Sequence, residues 1–214
     1  MGRSPVEYRD WIRAQSAWWA EAVSDEELWN AEAVTFDEAA DHGLADPACR
    51  AAWRDLLLEH LPEPPAKVAD LGCGTGTLSL LLAEEGYAVD GVDFSPEMVR
   101  RAQTKAGQLA TFTVGDAAAP PLADAAYDVV LSRHVLWAMP SPAAALDRWL
   151  ALLRPGGRLL LVEGNWSTGA GLSAEETVAL VGATGREAVL RRLPEAVFWG
   201  REISDDRYLV TSTC

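Results

Sequence analysis

Between residues 66 and 163 the chain alternates short apolar runs with helical patterns, and that alternation admits few architectures. The runs 66–71 (AKVADL), 87–93 (YAVDGVD), 110–114 (ATFTV), 127–132 (YDVVLS) and 158–163 (RLLLVE) have the length and composition of buried strands. The spacers between them carry helix signals. A helix over about 77–85 puts Leu78, Leu81 and Leu82 on one face and ends at Gly86. A second starts at Ser95-Pro96, a side-chain cap followed by proline at the first helical position. A third starts at Ser141-Pro142, carries Leu146, Trp149, Leu150 and Leu153 on one face, and is expected to end at Arg154-Pro155-Gly156. Strands joined through helices pair in parallel, so the expected fold is α/β: a doubly wound, mainly parallel sheet with helices on both faces.

The flanks read differently. Residues 1–64 are helical in pattern and rich in tryptophan (Trp11, Trp18, Trp19, Trp29 and Trp53), with Trp53, Leu56, Leu57 and Leu61 at helical spacing before Pro62. We expect a helical cap over 1–64 and a core over 65–214. In the last stretch, Ser173-Ala-Glu-Glu176 is a capping box that opens one more helix. Two late strands follow, near 188–193 and 207–213; the link between them shows no helical pattern, which fits an antiparallel pair.

Composition narrows the partners. The 214 residues are 49% hydrophobic and 23% charged, as expected for one soluble globular domain. Net charge is −14, from 32 acidic and 18 basic residues. Phosphate-binding surfaces need cations, and the dense basic pairs, Arg100-Arg101 and Arg191-Arg192, read as solvated faces. The balance disfavours DNA, RNA and anionic membrane and favours a small or neutral partner. No run reaches membrane-spanning length, and the first residues lack the apolar core of a signal peptide, so a cytoplasmic location is expected. Cys49, Cys73 and Cys214, with His42, His60 and His134, show neither disulfide nor metal spacing.

Three segments carry chemistry. The first, Val68-Ala-Asp-Leu-Gly72-Cys-Gly74-Thr-Gly76, ends the first parallel strand, where a doubly wound sheet binds its ligands. Alternate glycines let backbone approach a ligand closely, but the spacing is G-x-G-x-G rather than the G-x-G-x-x-G of a dinucleotide site. Asp70, just before the loop, suits a cationic ligand better than a pyrophosphate. The second is Asp93, which lies 21 residues after Gly72 at the end of the second strand, where an acid accepts from ribose hydroxyls. The third is Gly115-Asp116-Ala117, placed for an adenine edge.

DLGCGTG, VDFSPEM, VGDA, YDVVLSRHVL and LRPGGRLLLVE stand in an order and spacing that resembles the class I S-adenosylmethionine-dependent methyltransferase family. The likeness is close over roughly 66–163 and loose elsewhere. It implies a Rossmann-like seven-stranded sheet with a reversed last strand, and S-adenosylmethionine as cofactor, leaving S-adenosylhomocysteine. It also implies that Gly72, Cys73, Gly74 and Gly76 line the methionine and ribose side, with Asp70 at the amino group and Asp93 at the ribose. Phe94, Ser95 or Met98 would lie near the adenine, and Asp116 and Ala117 at its edge. The implied function is methyl transfer to oxygen, nitrogen or sulfur of a small organic acceptor. Protein or RNA methylation, a non-catalytic binding protein and a dinucleotide oxidoreductase are the rivals.

The end of the fourth strand, Arg133-His134, faces the place of reaction. His134 is the leading general-base or substrate-contact candidate, with packing against Trp137 or loop capping as an equal alternative. Arg133 binds a carboxylate of cofactor or substrate, or is a solvated strand end. His42 could close over the cofactor from the N-terminal zone, although a structural role is commoner for such a residue. Trp11, Trp18, Trp19 and Trp29, with Trp137 and Trp166, are candidates for an aromatic pocket wall. The loop Ser132-Arg-His-Val135 lacks the Asn- or Asp-Pro-Pro-aromatic pattern of enzymes that methylate amino groups in DNA.

Overall fold

A computed structural model describes residues 24–213; Trp11, Trp18, Trp19 and Cys214 lie outside the described residues. Helix α1 (Asp25–Glu32) opens on a capping box between Ser24 and Glu27. A 3₁₀ turn (Phe36–Glu38) and one-turn α2 (Ala40–Gly43) follow, and then α3 (Pro47–His60), capped by the Asp46 side chain. The alternating region gives β1 (Lys67–Leu71), α4 (Thr77–Glu84), β2 (Ala88–Asp93), α5 (Pro96–Ala106), β3 (Thr111–Val114) and β4 (Tyr127–Arg133). After a second 3₁₀ turn (Leu136–Ala138) come α6 (Pro142–Ala151), β5 (Leu153–Asn165), α7 (Ala174–Ala183), β6 (Val189–Arg192), α8 (Ala196–Trp199) and β7 (Asp206–Ser212).

The seven strands form one sheet in the order β3-β2-β1-β4-β5-β7-β6. Pairings among β1 to β5 are parallel, whereas β7 runs antiparallel to both β5 and β6. The reversed last strand is therefore present, and the sheet order turns at β1 and β4, the place where such sheets open a crevice. Two local expectations are corrected. The helix expected to run to Arg154-Pro155-Gly156 stops at Ala151, and β5 begins at Leu153, opposite Tyr127. The ladder then resumes at Val129 opposite Arg158, so residues 154–157 bulge out through Gly156 at φ +78°. The link between the late strands does hold a helix, α8, too short to show a period in the sequence.

Each face of the sheet buries an apolar layer. On one face Trp53, Leu56 and Leu57 of α3, with Leu81, Leu82 and Trp199, cover Val129, Leu160 and Leu209. On the other, Leu146 and Trp149 of α6 and Val181 of α7 cover Leu71, Val130, Leu161 and Val210. Each layer holds a fully buried tryptophan whose indole N–H needs an acceptor. Trp53 donates to the carbonyl of Phe198 at 2.8 Å, and Trp149 to that of Ala117 at 2.7 Å. Among the described residues no helix is long and apolar enough to cross a membrane.

Trp53 joins α3 to α8 by packing and by this hydrogen bond, with Phe198 and Trp199 edge-on to its ring. Trp53→Ala is expected to cost about 3–5 kcal/mol in urea unfolding, from the cavity and the lost hydrogen bond to Phe198.

Candidate functional site

At the carboxyl ends of the parallel strands lies a cavity of about 460 Å³, within the size range of small-molecule sites. Gly72 and Gly74 shape its floor. Both have positive φ, +70° and +54°, and a Cβ on Gly72 would stand 2.3 Å from Val135. The Gly72 and Cys73 N–H groups donate to the Val92 carbonyl, fastening the loop to β2. Asp93 adds a second tie. One carboxylate oxygen accepts from the Gly74 N–H and the other from the Ser95 N–H, both at 2.9 Å. Each oxygen keeps acceptor capacity on the cavity side. Burial raises the Asp93 carboxyl above its ordinary range against these two bonds.

Asp70 is buried in the wall beside the loop and accepts from the Ser79 hydroxyl at 2.6 Å; burial pushes its carboxyl up to about 6. Phe94 and Met98 line the cavity past β2, and Asp116 and Ala117 line it past β3. Asp116 is exposed and accepts from the Ala118 N–H, while the Ala117 carbonyl is held by Trp149. Two expected residues do not line the cavity. Gly76 faces the packing of α4 on α5, where a Cβ would stand 2.8 Å from Ala102 and from the Phe112 ring. Ser95 is fully buried as the cap of α5, accepting from Met98 N–H and donating to Asn30.

From β4 come Arg133 and His134. The Arg133 guanidinium lies 5.3 Å from the centre of the Trp53 ring and donates to the carbonyl of Asp41. Burial lowers its pKa, while Asp41 and Asp70 act to raise it. His134 adopts φ +61°, and its ring meets Trp166 edge-on at 5.1 Å and lies nearly parallel to Trp199 at 6.0 Å. Its Nε2 is buried with no hydrogen-bond partner. Burial, with Arg133 and Arg207 adding, holds its pKa well below the usual range, so the imidazole is neutral at neutral pH. Trp137 does meet His134, through an indole N–H donated to the His134 carbonyl at 2.9 Å.

The loop after β4 rests on a residue the sequence reading passed over. Glu163, buried in β5, accepts from the N–H groups of Val135 (3.1 Å) and Leu136 (2.8 Å) through one oxygen; the other oxygen has no partner. Burial pushes its carboxyl up to about 8. The signal was an acid in phase with Leu159 and Leu161 on one face of a strand.

The N-terminal elements roof the cavity with Trp29, Phe36, Asp41 and His42. His42 stacks on Phe36 at 4.2 Å, and the Phe36 ring is 3.2 Å from where a Cβ on Gly74 would lie. Burial lowers the His42 pKa, helped by Arg133. Three ties hold this roof. Asp37 pairs with Lys105 at 2.7 Å and accepts from Thr75 of the glycine loop. Asn30 accepts from Ser95 and from the Glu97 N–H. Asp41 binds Arg133 through its carbonyl and approaches Arg207 at 3.5 Å. Arg207 and Arg201 line the cavity, and neither was singled out from the sequence. For Arg207 the signal was a cation in β7 in phase with buried Leu209. His60 is half-buried and outside the cavity. Among the described residues no group of three or more His, Cys, Asp and Glu side chains is placed to hold a metal.

The donor set fits S-adenosylmethionine. Carboxylates stand at the ends of β1 and β2 and after β3, matching an ammonium, a ribose diol and an adenine amine in the order of the strands. The glycine loop itself offers no cation for a pyrophosphate.

Residues 69–161 match the family model described as a methyltransferase domain. The demethylmenaquinone methyltransferase of Beutenbergia cavernae is 39% identical over 112 residues, 52% of this chain and 46% of that protein. The ubiquinone biosynthesis O-methyltransferase of Xylella fastidiosa is 34% identical over 161 residues, 72% of this chain and 62% of that protein. The chain thus spans less than two thirds of the length of either relative. Among solved structures, one chain of the complex between the Haloferax volcanii Trm112 methyltransferase activator and a methyltransferase shares the fold. It has a TM-score of 0.69 at 22% identity, covering 90% of this chain and 99% of that one.

Glu163 generates a stability prediction. Its carboxyl titrates near 8 in the fold and near 4.5 when unfolded, so folding holds a proton that the unfolded chain releases between these values. The stabilisation is full below about pH 4.5 and is lost as pH rises to about 8. Relative to Glu163→Gln, the wild-type unfolding free energy should fall by about 4 kcal/mol across that window in urea titrations. Parallel curves for the two proteins would refute this.

Proposed function

Because this chain belongs to the class I S-adenosylmethionine-dependent methyltransferase family, we propose that it transfers a methyl group to oxygen, nitrogen or sulfur of a small organic acceptor. The observation that carries the reading is Asp93, whose two oxygens each spend one bond on backbone N–H groups and keep the rest for a diol at the cavity wall. The relatives' names, a demethylmenaquinone methyltransferase and an O-methyltransferase of ubiquinone biosynthesis, support a small acceptor.

The cofactor supplies a methyl group already activated on a sulfonium, so the protein's work is alignment and exclusion of water. In this reading Gly72, Cys73 and Gly74 lie along the methionine and ribose, and Asp70 faces the amino group. Asp93 accepts from the ribose hydroxyls, with Phe94 and Met98 against the adenine and Asp116 and Ala117 at its edge. Arg133 faces the cofactor carboxylate. Gly76 and Ser95 act one step back, by packing α4 and by capping α5. The buried, unpartnered Nε2 of His134 accepts a hydrogen bond from the acceptor and orients the attacking atom. Its low basicity favours aligning a proton over removing one fully. His42, stacked on Phe36, closes the roof.

The segment from α1 to α2 acts as a cap over the core. The net charge of −14 supports a small-molecule partner over nucleic acid. So does the pairing of Arg100 and Arg101 with Glu97, of Arg191 with Glu59 and of Arg192 with Glu175. The free thiols of Cys49 and Cys73 suit a reducing cytoplasm.

Calorimetric titration with S-adenosylmethionine and S-adenosylhomocysteine tests the reading. Wild type should bind both, and Asp93→Ala should lose about tenfold to a hundredfold in affinity. No binding to wild type, with a dinucleotide binding instead, would overturn it. For the cap, Lys105→Ala removes the Asp37 ion pair and should speed proteolysis between residues 24 and 46, with S-adenosylhomocysteine restoring protection. Cleavage unchanged by either would refute a movable cap.

A further inference from the structure

The cavity has opposite charge at its two ends, and strand order sets the pattern. Asp116 follows β3, Asp93 ends β2 and Asp70 lies near the end of β1; Arg133 ends β4, and Arg207 lies near the start of β7. Because β7 is antiparallel, its start lies at the same sheet edge as the ends of the others, and Arg207 pairs with Gly164 near the end of β5. Three strand steps, about 14 Å, separate β1 from β7. Three acids therefore serve the cofactor half, with Arg133 at its border, and Arg207 and Arg201 are left for the acceptor.

Arg207 is the unusual member. It is only 6% exposed, yet its two carboxylate contacts are long, 3.5 Å to Asp41 and 3.4 Å to Asp205, and its Nε has no partner. Asp41 is shared with His42 at 3.8 Å. The Trp199 ring, 4.3 Å from the guanidinium, stabilises the charge without accepting its hydrogen bonds. A buried guanidinium with an unfilled donor edge is costly unless an anion completes it. Arg201, in the segment that leads into β7, also lines the cavity, and Trp166 and Trp137 supply aromatic walls. The His134 ring, with its buried and unpartnered Nε2, meets Trp166 edge-on.

We propose that the acceptor is an organic carboxylate, with a planar apolar body between the tryptophans and its carboxylate held by Arg207 beside Arg201. The inference rests on the methyltransferase reading and adds the acceptor's class to it. A carboxylate matches the planar fork of arginine, and an anchor on β7 leaves the far end of the molecule toward His134 and the cofactor half.

The test is calorimetry on the full chain saturated with S-adenosylhomocysteine, using para-hydroxybenzoate and para-hydroxyphenylacetate against their amides. The acids should bind about tenfold or more tightly than the amides. Arg207→Gln should abolish that preference and Arg207→Lys should keep part of it, each measured on protein saturated with S-adenosylhomocysteine. Equal binding of acid and amide, no saturable binding of either acid, or a preference that survives Arg207→Gln would overturn the proposal while leaving the cofactor reading intact. Failure of wild type to bind S-adenosylhomocysteine would overturn both. If Arg207→Gln does not fold, the wild-type comparison and Arg207→Lys decide: a preference undiminished in Arg207→Lys counts against the anchor.

Discussion

The carboxylate of Asp93 is the fastening on which the site depends. A glycine loop in left-handed conformations has no side chains to hold it, so its shape must come from outside. Asp93 provides this by taking the Gly74 N–H on one oxygen and the Ser95 N–H on the other, which joins the first loop to the start of α5. The Val92 carbonyl, one residue earlier, takes two more N–H groups from the same loop. The end of β2 thus positions the end of β1, and the proposed ribose contact is made by a group already fixed from both sides.

The same economy appears in the roof. Phe36 reaches Gly74 because glycine leaves room, and Asp37 reaches Thr75 and Lys105 because α5 packs beside the loop. The loop is therefore gripped from below by β2 and from above by the N-terminal turn. Glu163 performs a comparable task for the loop after β4, with a carboxyl that stays protonated at neutral pH. Loops on both sides of the crevice thus hang on buried acids from neighbouring strands.

Much of this was legible in the sequence, and the exceptions have physical reasons. All seven strands stand where apolar runs or late β-rich stretches suggested. The central ones are buried on both faces and leave a compact signature, while the edge strands β3 and β6, largely exposed, were read from their β-rich composition. The caps at Ser95, Ser141 and Ser173 were equally plain, since capping is a local interaction. The bulge at residues 154–157 and the one-turn α8 were not, because pairing partners and tertiary packing decide them. At the site, the glycines and the three aspartates were readable from strand ends. Gly76 and Ser95 were drawn in by proximity, although packing and capping account for them. Arg207 and Glu163 were missed because each looks ordinary until its strand phase places it among buried leucines.

The reversal of β7 has a consequence for how such a chain diversifies. The other strands at the crevice arrive with their ends, and for β1, β2, β4 and β5 the ligand-facing loop also leads to the next helix, α4, α5, α6 and α7 in turn. β7 arrives with its beginning, and the segment that feeds it, residues 193–205, comes from the outermost strand of the sheet. That segment carries Trp199, Arg201 and Asp205. Insertions or substitutions there would rewrite the proposed acceptor half of the crevice without disturbing the ladder from β3 to β5. The boundary between the proposed cofactor and acceptor halves thus falls between β4 and β7.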